Sequence, residues 1–560
     1  MTNTFTPILL LLLLATINLR AQDNRFVDPI YDVSSPTLDT FGANIDVYEL
    51  SRAAASDPNA TPLRSLEMDV YEPIGDEDEM LRPVVVVFPT GNFLPQFVNQ
   101  GIYGTRQDSA VVEILSQLTA RGYVGIAADY RVGWNPRSDD IDVRTSTLLQ
   151  AAYRGGQDAH MLARYLRKTV VEEENPYRID TSRIVFWGLG TGGYVTMTHA
   201  FLDRIDEVLE DERFYDVNDV PFVSLEVSSD PQGLTPAEFQ EGVPSNVPNH
   251  VGYSSTVAMS INTNGALGDI DWIEGSADEP LVLGFHSPGD IFAPFSYGNV
   301  VVPTTEDIVI GCVAGTEQIL EIANEAGIND ALDMANATEL DDMFSDLSEA
   351  VNVLNESYKT EMLMLDEAPA CPDQNFSPDF PLSRDNMYPL RAGNGLGAGY
   401  NYVNEADVRA RIQAFNTAGG DLDADEALGG ETGTNPNVFN PDAAKLAIDT
   451  MIAFFVPRAY MGLNLSTIDS TTAVKDLVTN AAVGLELFPN PTTNDFTVRV
   501  ADNILIRRID IFDMQGRRVA ELPEIDQSSY TVNRGNLAKG EYIVQLHFDE
   551  GTTARKVFIR

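Results

Sequence analysis

The sequence predicts an α/β fold, in which a doubly wound and mostly parallel sheet is followed by a separate run of short strands. Continuous apolar runs at residues 83–88 and 124–129 are typical of buried parallel strands. A helical pattern that begins after Asp108 and ends near Gly122 separates these two runs. From Leu485 onward the chain instead shows short alternating segments with turns at 513–516 and 538–540.

The other elements follow from the same periodicities. Strands are predicted at residues 66–71, 184–187, 257–262 and 281–286. Helices are predicted at 145–168, as one helix or as two broken near Gly155 and Gly156, and at 317–326, 340–358 and 441–455. We expect residues 23–61 to be irregular, and residues 368–440, rich in Gly, Asn, Asp and Pro, to form long surface loops. Strands that alternate with helices in this order predict a parallel sheet covered on both faces.

Charge divides the chain into two regions. The 560 residues include 84 Asp and Glu against 36 Lys and Arg, for a net charge of −48. This surface repels nucleic acid and anionic lipid, so we expect neither as a partner, and it favours solubility in a salty exterior. From Leu485 the balance is nearly even, with ten basic and eleven acidic residues. We therefore place a linker at 466–484 between a domain at 22–465 and a second one at 485–560.

The first residues resemble an export signal. Residues 7–18 form a short apolar run that is followed by a small residue, Ala21, so residues 1–21 are predicted to be a secretory signal peptide. A membrane anchor is the alternative, but the run is short for a bilayer, and no later stretch is expected to span one. In an exported chain the two cysteines, Cys312 and Cys371, are expected to form one disulfide, with two free buried thiols as the alternative.

The most informative motif is a glycine-rich turn. Gly188, Gly190 and Gly192 alternate between the strand at 184–187 and a helical pattern that begins at Tyr194. This strand–turn–helix context is the one a G-x-S-x-G nucleophile elbow requires, with Gly190 at the position of the serine. Glycine has no side chain that can attack a carbonyl, and it relieves the backbone strain that such a turn imposes.

Residues 25–465 resemble the α/β-hydrolase fold of the carboxylesterase kind. The resemblance is carried by segments 84–93, 121–131, 187–193 and 284–290. It implies that Gly91 and Asn92 occupy the oxyanion-loop position and that Asp290 is the vestigial triad acid. The loop departs from the His-Gly-Gly-x-Phe of related esterases, and the only histidine after Asp290 is His547, in the last domain. The resemblance therefore implies a scaffold without its usual nucleophile and base.

The last domain resembles the type A sorting domain of the type IX secretion system of Bacteroidetes. The matching motifs are Phe-Pro-Asn-Pro at 488–491, the segments 511–517 and 537–542, and Arg555-Lys556 near the end. The resemblance implies an antiparallel sandwich, the type IX secretion machinery as a partner, and passage through the periplasm to the cell surface or the medium. A carbohydrate-binding sandwich is the alternative.

Two functions compete for the first domain. The first is a catalytically degenerate hydrolase that binds an unknown small-molecule or polymer ligand, or a partner, through the old pocket. The second is an active esterase that uses displaced residues, Thr191 as nucleophile and His286 as base. For Thr191 the alternative is a hydroxyl at a helix N-terminus that satisfies backbone donors, and for His286 a hydrogen-bonded structural residue. No residue is assigned a catalytic role.

Three further patterns have structural interpretations. Arg154 and Asp158, four residues apart, are predicted to form a helix pair or a packing device. Asp421, Asp423 and Asp425 resemble the start of a calcium loop but lack its later residues, so we interpret them as an acidic loop with calcium as the alternative. No other metal site and no cofactor is expected. Gly188, Gly190 and Gly193 also fit a dinucleotide fingerprint, a weaker interpretation because no acidic residue is placed for the ribose.

Overall fold

The computed structural model describes residues 24–54, 62–76, 81–301, 307–362, 384–391, 399–469, 476–477 and 485–560, the last without 502–503, 514–516, 524, 536 and 549–550. The chain divides into two compact units. The first comprises the described residues of Met1–Asn249 and Thr256–Leu465, and the second those of His250–Ser255 and Ser466–Arg560.

The first unit is built on an eight-stranded sheet, counted over the described residues. Its strands are β1 Thr37–Ile45, β2 Leu63–Tyr71, β3 Arg82–Phe88, β4 Val124–Ala128, β5 Ile179–Leu189, β6 Met259–Thr263, β7 Leu281–His286 and β8 Met387–Pro389. They lie in the order β1-β2-β4-β3-β5-β6-β7-β8. Strand β2 runs antiparallel to both of its neighbours, and all other neighbouring strands are parallel.

Helices cover both faces of this sheet. Those of eight or more described residues are α1 Val47–Ala54, α2 Ser109–Thr119, α3 Ile141–Glu172, α4 Thr191–Phe201, α5 Thr316–Glu325, α6 Asp346–Met362, α7 Glu405–Thr417, α8 Ala424–Thr434 and α9 Pro441–Gly462. Successive side chains of a strand point to opposite faces. On β5 the Phe186 ring therefore packs on His199 of α4, and the Trp187 ring packs on Phe455 of α9.

Short elements complete the first unit. The described strands outside the main sheet are Asp32–Val33, Pro73–Ile74, Ala237–Gln240, Val243–Asn246, Ala266–Leu267, Tyr297–Val301 and Ile308–Gly315. Short helical turns lie at Asp206–Leu209, Glu212–Phe214, Leu225–Ser228, Ile270–Trp272 and Asp330–Asn336.

Each predicted strand and helix of the first unit is present, with ends shifted by a few residues. The choice left open at 145–168 is decided in favour of one helix, α3. Its glycines lie at the contact with α4, where a Cβ on Gly155 would come within 2.6 Å of Val195 and one on Gly156 within 2.8 Å of Thr198. These glycines therefore allow two helices to approach closely without interrupting α3.

Two expectations of irregular structure were wrong. Residues 23–61 contain the edge strand β1 and helix α1, because β1 buries few apolar side chains, Phe41 and Ile45 among them, and its pattern is weak. Within 368–440, the described residues 405–417 and 424–434 form α7 and α8. Asn404 and Asp423 cap these helices through their side chains. The helices also bury a satellite apolar cluster with the loop after β3, formed by Phe97, Ile102, Tyr103, Val408, Ile412, Ala427, Leu428 and Val438.

The second unit is all β except for one helical turn at Ser466–Asp469. Its described strands are Asp476–Leu477, Glu486–Phe488, Phe496–Arg499, Arg508–Asp513, Arg518–Leu522, Ser529–Val532, Gly540–His547 and Gly551–Ile559. They form one sheet of five strands and one of three. Every described pair is antiparallel except that of Asp476–Leu477 with the last strand. Side chains such as Val498, Ile511 and Val544 form its fully buried core.

Some predictions fall on residues that the structure does not describe. The predicted signal peptide, residues 1–21, lies outside the described residues, and so does Cys371. Cys312 lies on the strand Ile308–Gly315, and its disulfide with Cys371 stays a prediction. Among the described residues, no helix is long and apolar enough to cross a bilayer.

Candidate functional site

The glycine-rich turn joins the end of β5 to the start of α4. Gly190 lies between them with φ +55° and ψ −116°, a conformation that L-residues with a side chain rarely adopt. Its N–H donates to the Thr263 carbonyl at the end of β6, which holds the turn against the neighbouring strand. The positive φ that the elbow interpretation predicts for Gly190 is therefore present.

The flanking glycines are required by close approach of the backbone. A Cβ on Gly188 would lie 2.0 Å from the Gly192 carbonyl oxygen, and one on Gly192 would lie 2.2 Å from the Phe88 carbonyl oxygen. At Gly190 the neighbour is a side chain, since a Cβ there would lie 2.2 Å from Thr90 Oγ1. The Thr90 hydroxyl thus fills the space that a nucleophile's Cβ would need.

The turn opens onto a cavity of about 800 Å³. Among the predicted site residues, the cavity is lined by Gly91, Asn92, Gly190, Thr191 and Asp290. Gly188, Gly192, His286 and Cys312 are not among its lining residues. The structure therefore brings the predicted elbow, the predicted oxyanion-loop position and the predicted acid to one cavity, whereas His286 does not line it.

Thr191 begins α4 directly after the turn. Its Oγ1 lies 2.9 Å from the hydroxyl of Tyr130, which also donates to the Pro89 carbonyl at 2.8 Å. Burial raises the pKa of Tyr130, so its phenol stays protonated at neutral pH. A protonated phenol that already donates elsewhere is a poor general base for Thr191.

Asp290 lies after β7, where the resemblance places the triad acid. Its Oδ2 accepts a hydrogen bond of 2.6 Å from Asn264 Nδ2. Its Oδ1 accepts from the backbone N–H groups of Phe292 and Ala293, at 2.7 and 3.0 Å. An amide and two backbone donors therefore hold this carboxylate where an active relative would orient a histidine.

His286 is the last residue of β7 and is completely buried. Its Nδ1 lies 2.6 Å from Thr316 Oγ1 and its Nε2 lies 3.3 Å from the Ala293 carbonyl. Burial lowers the pKa of His286, which favours the neutral ring. Neither ring nitrogen is hydrogen-bonded to Thr191 or Asp290, so these three residues do not form a hydrogen-bonded triad.

The other histidines lie away from the turn or in the second unit. His160 of α3 and His199 of α4 stack with ring centroids 4.2 Å apart, and both are buried. Burial, and then the neighbouring His199, lowers the pKa of His160. In the second unit, His547 Nε2 lies 2.8 Å from an Asp510 oxygen.

The oxyanion loop has an unusual backbone. Gly91, Asn92 and Phe93 follow one another with φ values of +140°, +56° and +51°. Gly91 approaches a second glycine, since a Cβ on it would lie 3.0 Å from the Gly104 Cα. The loop thus keeps a constrained path beside the turn, although its sequence departs from that of related esterases.

Sequence reasoning missed several cavity residues because they come from distant segments. Asn264 follows β6, Tyr400 precedes α7, and Glu431 lies on α8. Asn264, in the tripeptide Thr-Asn-Gly with φ +57°, carried a turn signal that could have been noticed. Glu431 had no such signal. Burial raises the pKa of Glu431 to about 7, and a hydrogen bond from the Ile102 N–H partly opposes this rise. A carboxyl that titrates near neutrality in a cavity is typical of functional sites.

Two local interpretations can also be compared with the structure. Asp423 of the acidic loop caps α8 by accepting from the N–H groups of Asp425 and Glu426. The described residues hold no group of three or more His, Cys, Asp or Glu side chains arranged for a metal. Asp158 accepts from the Arg131 guanidinium at 2.8 Å and from the Arg131 backbone N–H at 2.7 Å, and it also attracts Arg154 electrostatically. The interpretation of Arg154 and Asp158 as a helix pair or a packing device stays a prediction.

Comparison with known proteins identifies the second unit and yields distant structural neighbours for the first. Residues 486–560 match the family described as the secretion system C-terminal sorting domain. Solved structures similar to the chain include esterase 2 of Thermogutta terrifontis phosphorylated by paraoxon, at 16% identity, with a TM-score of 0.23, covering 47% of this chain and 74% of that one. The propionate-bound form matches at 17% identity and the same TM-score, with 47% and 75% covered. No curated protein matches this chain.

The sorting domain implies that the type IX secretion machinery handles the chain and exports it to the cell surface or the medium. The strand order, the reversed β2 and the helices on both faces are those of an α/β-hydrolase fold. This chain therefore carries a type IX secretion C-terminal sorting domain at 486–560 behind a unit of the α/β-hydrolase type.

Proposed function

We propose that the exported first unit is a catalytically degenerate hydrolase that binds a ligand or partner in the elbow cavity, the cavity onto which the turn at Gly190 opens. The observation that carries the proposal is the elbow itself, which keeps its geometry around Gly190 and has no side chain to attack a carbonyl. Without an attacking atom and a proton acceptor, the acyl-enzyme route has no first step.

The surroundings of Gly190 support the same conclusion. The Cβ of a serine at position 190 would lie 2.2 Å from Thr90 Oγ1, which is too close for two non-bonded atoms. Asp290 is bonded to Asn264 in place of a histidine. A missing nucleophile and a missing histidine beside a retained pocket are expected where selection for hydrolysis has ceased and the pocket serves another use.

The cavity walls indicate the ligand class. Its carboxylates are those of Asp290, Asp421, Asp423, Glu426 and Glu431, with Arg137 as the basic residue. Aromatic side chains such as Phe93, Tyr194 and Trp272 contribute to its walls. Carboxylates beside aromatic rings favour a neutral or cationic ligand with apolar surface.

Hydrolysis of p-nitrophenyl acetate by the mature protein tests the proposal. We expect no turnover above that of the Thr191→Ala variant. In parallel, phenyl butyrate equilibrated with the protein by dialysis should be retained and recovered intact. Turnover that disappears in Thr191→Ala would instead support the alternative, an esterase with a displaced nucleophile.

That alternative rests on Thr191, whose hydroxyl does line the cavity. Its hydrogen bond to Tyr130 and the separate bonding of His286 to Thr316 argue against it. A pH–rate profile would separate the two, because a histidine-dependent reaction loses rate as the imidazole protonates.

A further inference from the structure

A second cavity, of about 720 Å³, lies beside the elbow cavity in the first unit. The two cavities share part of their walls, formed by Leu94, Val98, Trp134, Pro136, Arg137 and Tyr153. The remaining walls of the second cavity come from α1, α3, the loop after β4, the helical turn Leu225–Ser228 and the short strands Ala237–Gln240 and Val243–Asn246. Neither the elbow nor Asp290 lines it.

The charge of this second cavity is opposite to that of the chain. The described residues that line it include Arg137 and Arg154 and no Asp or Glu. The chain as a whole has 84 acidic and 36 basic residues, and five carboxylates line the neighbouring elbow cavity. A wall with two guanidinium groups and no carboxylate favours an anion over a cation.

Arg154 is the half-buried charge of the cavity. Asp158, four residues further along α3, is hydrogen-bonded to Arg131, and Asp158 and Asp46 also attract the Arg154 guanidinium electrostatically. The Arg154 Nε is buried and has no hydrogen-bond partner. Burial lowers the pKa of Arg154 to about 10, so the guanidinium stays charged at neutral pH.

The position of Arg154 is restricted by its neighbours. A Cβ on Gly133 would lie 2.6 Å from Arg154 Nη2 and 2.4 Å from Val47. The guanidinium therefore packs directly over the Gly133 backbone. A carboxylate bound in the cavity would give this half-buried guanidinium a charged hydrogen-bond partner.

The other side chains of the cavity indicate the polarity of the rest of the ligand. Val47, Leu50 and Phe239 supply apolar walls, whereas Arg137 is exposed and lies on the walls of both cavities. One half-buried guanidinium suits a singly charged head group, and the apolar walls suit an aliphatic or aromatic body.

We propose that the second cavity binds a small organic monocarboxylate, with Arg154 holding the carboxylate and Arg137 attracting it from solvent. The proposal does not depend on whether the elbow is active. The two cavities would then take ligands of opposite charge preference through adjoining walls.

Titration calorimetry of the full mature chain with hexanoate tests the proposal. Wild type should bind hexanoate, and added NaCl should weaken binding because charge attraction is screened. Arg154→Met, which keeps the volume and removes the charge, should weaken binding at least tenfold. Arg409→Gln removes an equal charge from the exposed Glu405–Arg409–Asp425 contacts and should leave affinity within twofold. Hexanamide, with the same chain and no charge, should bind at least tenfold more weakly.

Several outcomes would overturn the assignment. An absence of binding heat from wild type with hexanoate would do so, and so would binding by Arg154→Met as tight as that of wild type. Hexyl phosphate binding more tightly than hexanoate would overturn the choice of a carboxylate. If circular dichroism shows that Arg154→Met does not fold, Arg137→Gln, a change at an exposed residue, takes its place in the test. We then expect a severalfold loss of affinity for hexanoate, and an unchanged affinity would contradict the proposal.

Discussion

Gly190 combines two features of the turn between β5 and α4. Its φ of +55° preserves the strained conformation of an elbow, and the adjacent Thr90 hydroxyl occupies the space above it. In an active hydrolase that strain is tolerated by a serine because catalysis selects it. Here the glycine removes the strain while the turn keeps its path.

Restoring the serine should therefore destabilise the protein. Gly190→Ser places a Cβ at positive φ and within 2.2 Å of Thr90 Oγ1, and we expect it to lower the free energy of unfolding by about 1–3 kcal/mol. It should not create esterase activity, because the described first unit offers no histidine to Asp290. Urea unfolding and a p-nitrophenyl acetate assay measure the two effects.

A double-mutant cycle with Thr90 separates the two costs of Gly190→Ser. In a Thr90→Gly background the close contact is absent and only the backbone strain remains, so the serine should cost less than it does in wild type. An equal cost in both backgrounds would mean that Thr90 does not oppose the serine. Strong ester hydrolysis by Gly190→Ser would reveal a proton acceptor elsewhere in the cavity.

Glu431 makes stability depend on pH. Burial raises its pKa from 4.5 to about 7, so between these values the folded state binds a proton that the unfolded chain has released. The contribution of Glu431 is fully present below pH 4.5 and is lost as the pH rises to about 7. Glu431→Gln, which cannot ionise, should be more stable than wild type at pH 8 by about 1–3 kcal/mol and nearly equal to it at pH 4.5.

The matched control for Glu431 is Glu426→Gln on the same helix. Glu426 also lines the elbow cavity but is exposed, so its neutralisation should leave the pH dependence of stability unchanged. Thermal melting of the three proteins from pH 4.5 to 8 provides the comparison. A difference between wild type and Glu431→Gln that does not vary with pH would contradict burial as the cause.

At the scale of elements, the junction of β5 and α4 is set by backbone contact. Gly192→Ala would place a Cβ 2.2 Å from the carbonyl oxygen of Phe88, the last residue of the central strand β3. Neither group can move without displacing the sheet or the helix, so we expect a loss of about 3 kcal/mol or more. Urea unfolding monitored by tryptophan fluorescence measures it.

Gly429→Ala is the control for this junction. Gly429 lies within α8, where an added Cβ meets nothing within 4 Å. Alanine favours the helix, so this variant should be as stable as wild type or up to about 1 kcal/mol more stable. If both variants behaved alike, general helix propensity and not contact at the turn would govern stability.

At the scale of the whole molecule, the second unit is the sorting domain. The sorting domain has its own buried core, with Val498, Ile511 and Val544 fully excluded from solvent. Removal of residues 485–560 should leave the protein in the periplasm of a host with a type IX system, whereas Gly190→Ala should be exported as wild type is. Immunoblots of periplasm, surface and medium distinguish these fates, and a truncated protein in the medium would contradict the assignment.

The order of the sheet could largely be predicted from the chain, whereas the composition of the cavity could not. The buried strands β3, β4 and β7 have continuous apolar runs that any sequence window detects. The edge strand β1 and helices α7 and α8 lie in polar segments with few apolar residues, and those residues are buried against distant parts of the chain. Such sparse apolar residues give too weak a periodicity to predict the elements, which become evident only from the tertiary contacts.

By itself the sequence determined the two-unit organisation in outline, the absence of a serine at Gly190 and the sorting motifs from 488 to 556, because these depend on residue identity and order along the chain. Only the tertiary structure decided which polar groups meet. The Arg131 guanidinium is hydrogen-bonded to Asp158, and the Asn264 side chain donates to Asp290. These pairings join groups 26 or 27 residues apart on different segments, so no local spacing encodes them. The raised pKa of Glu431 has the same origin, since burial between distant segments causes it.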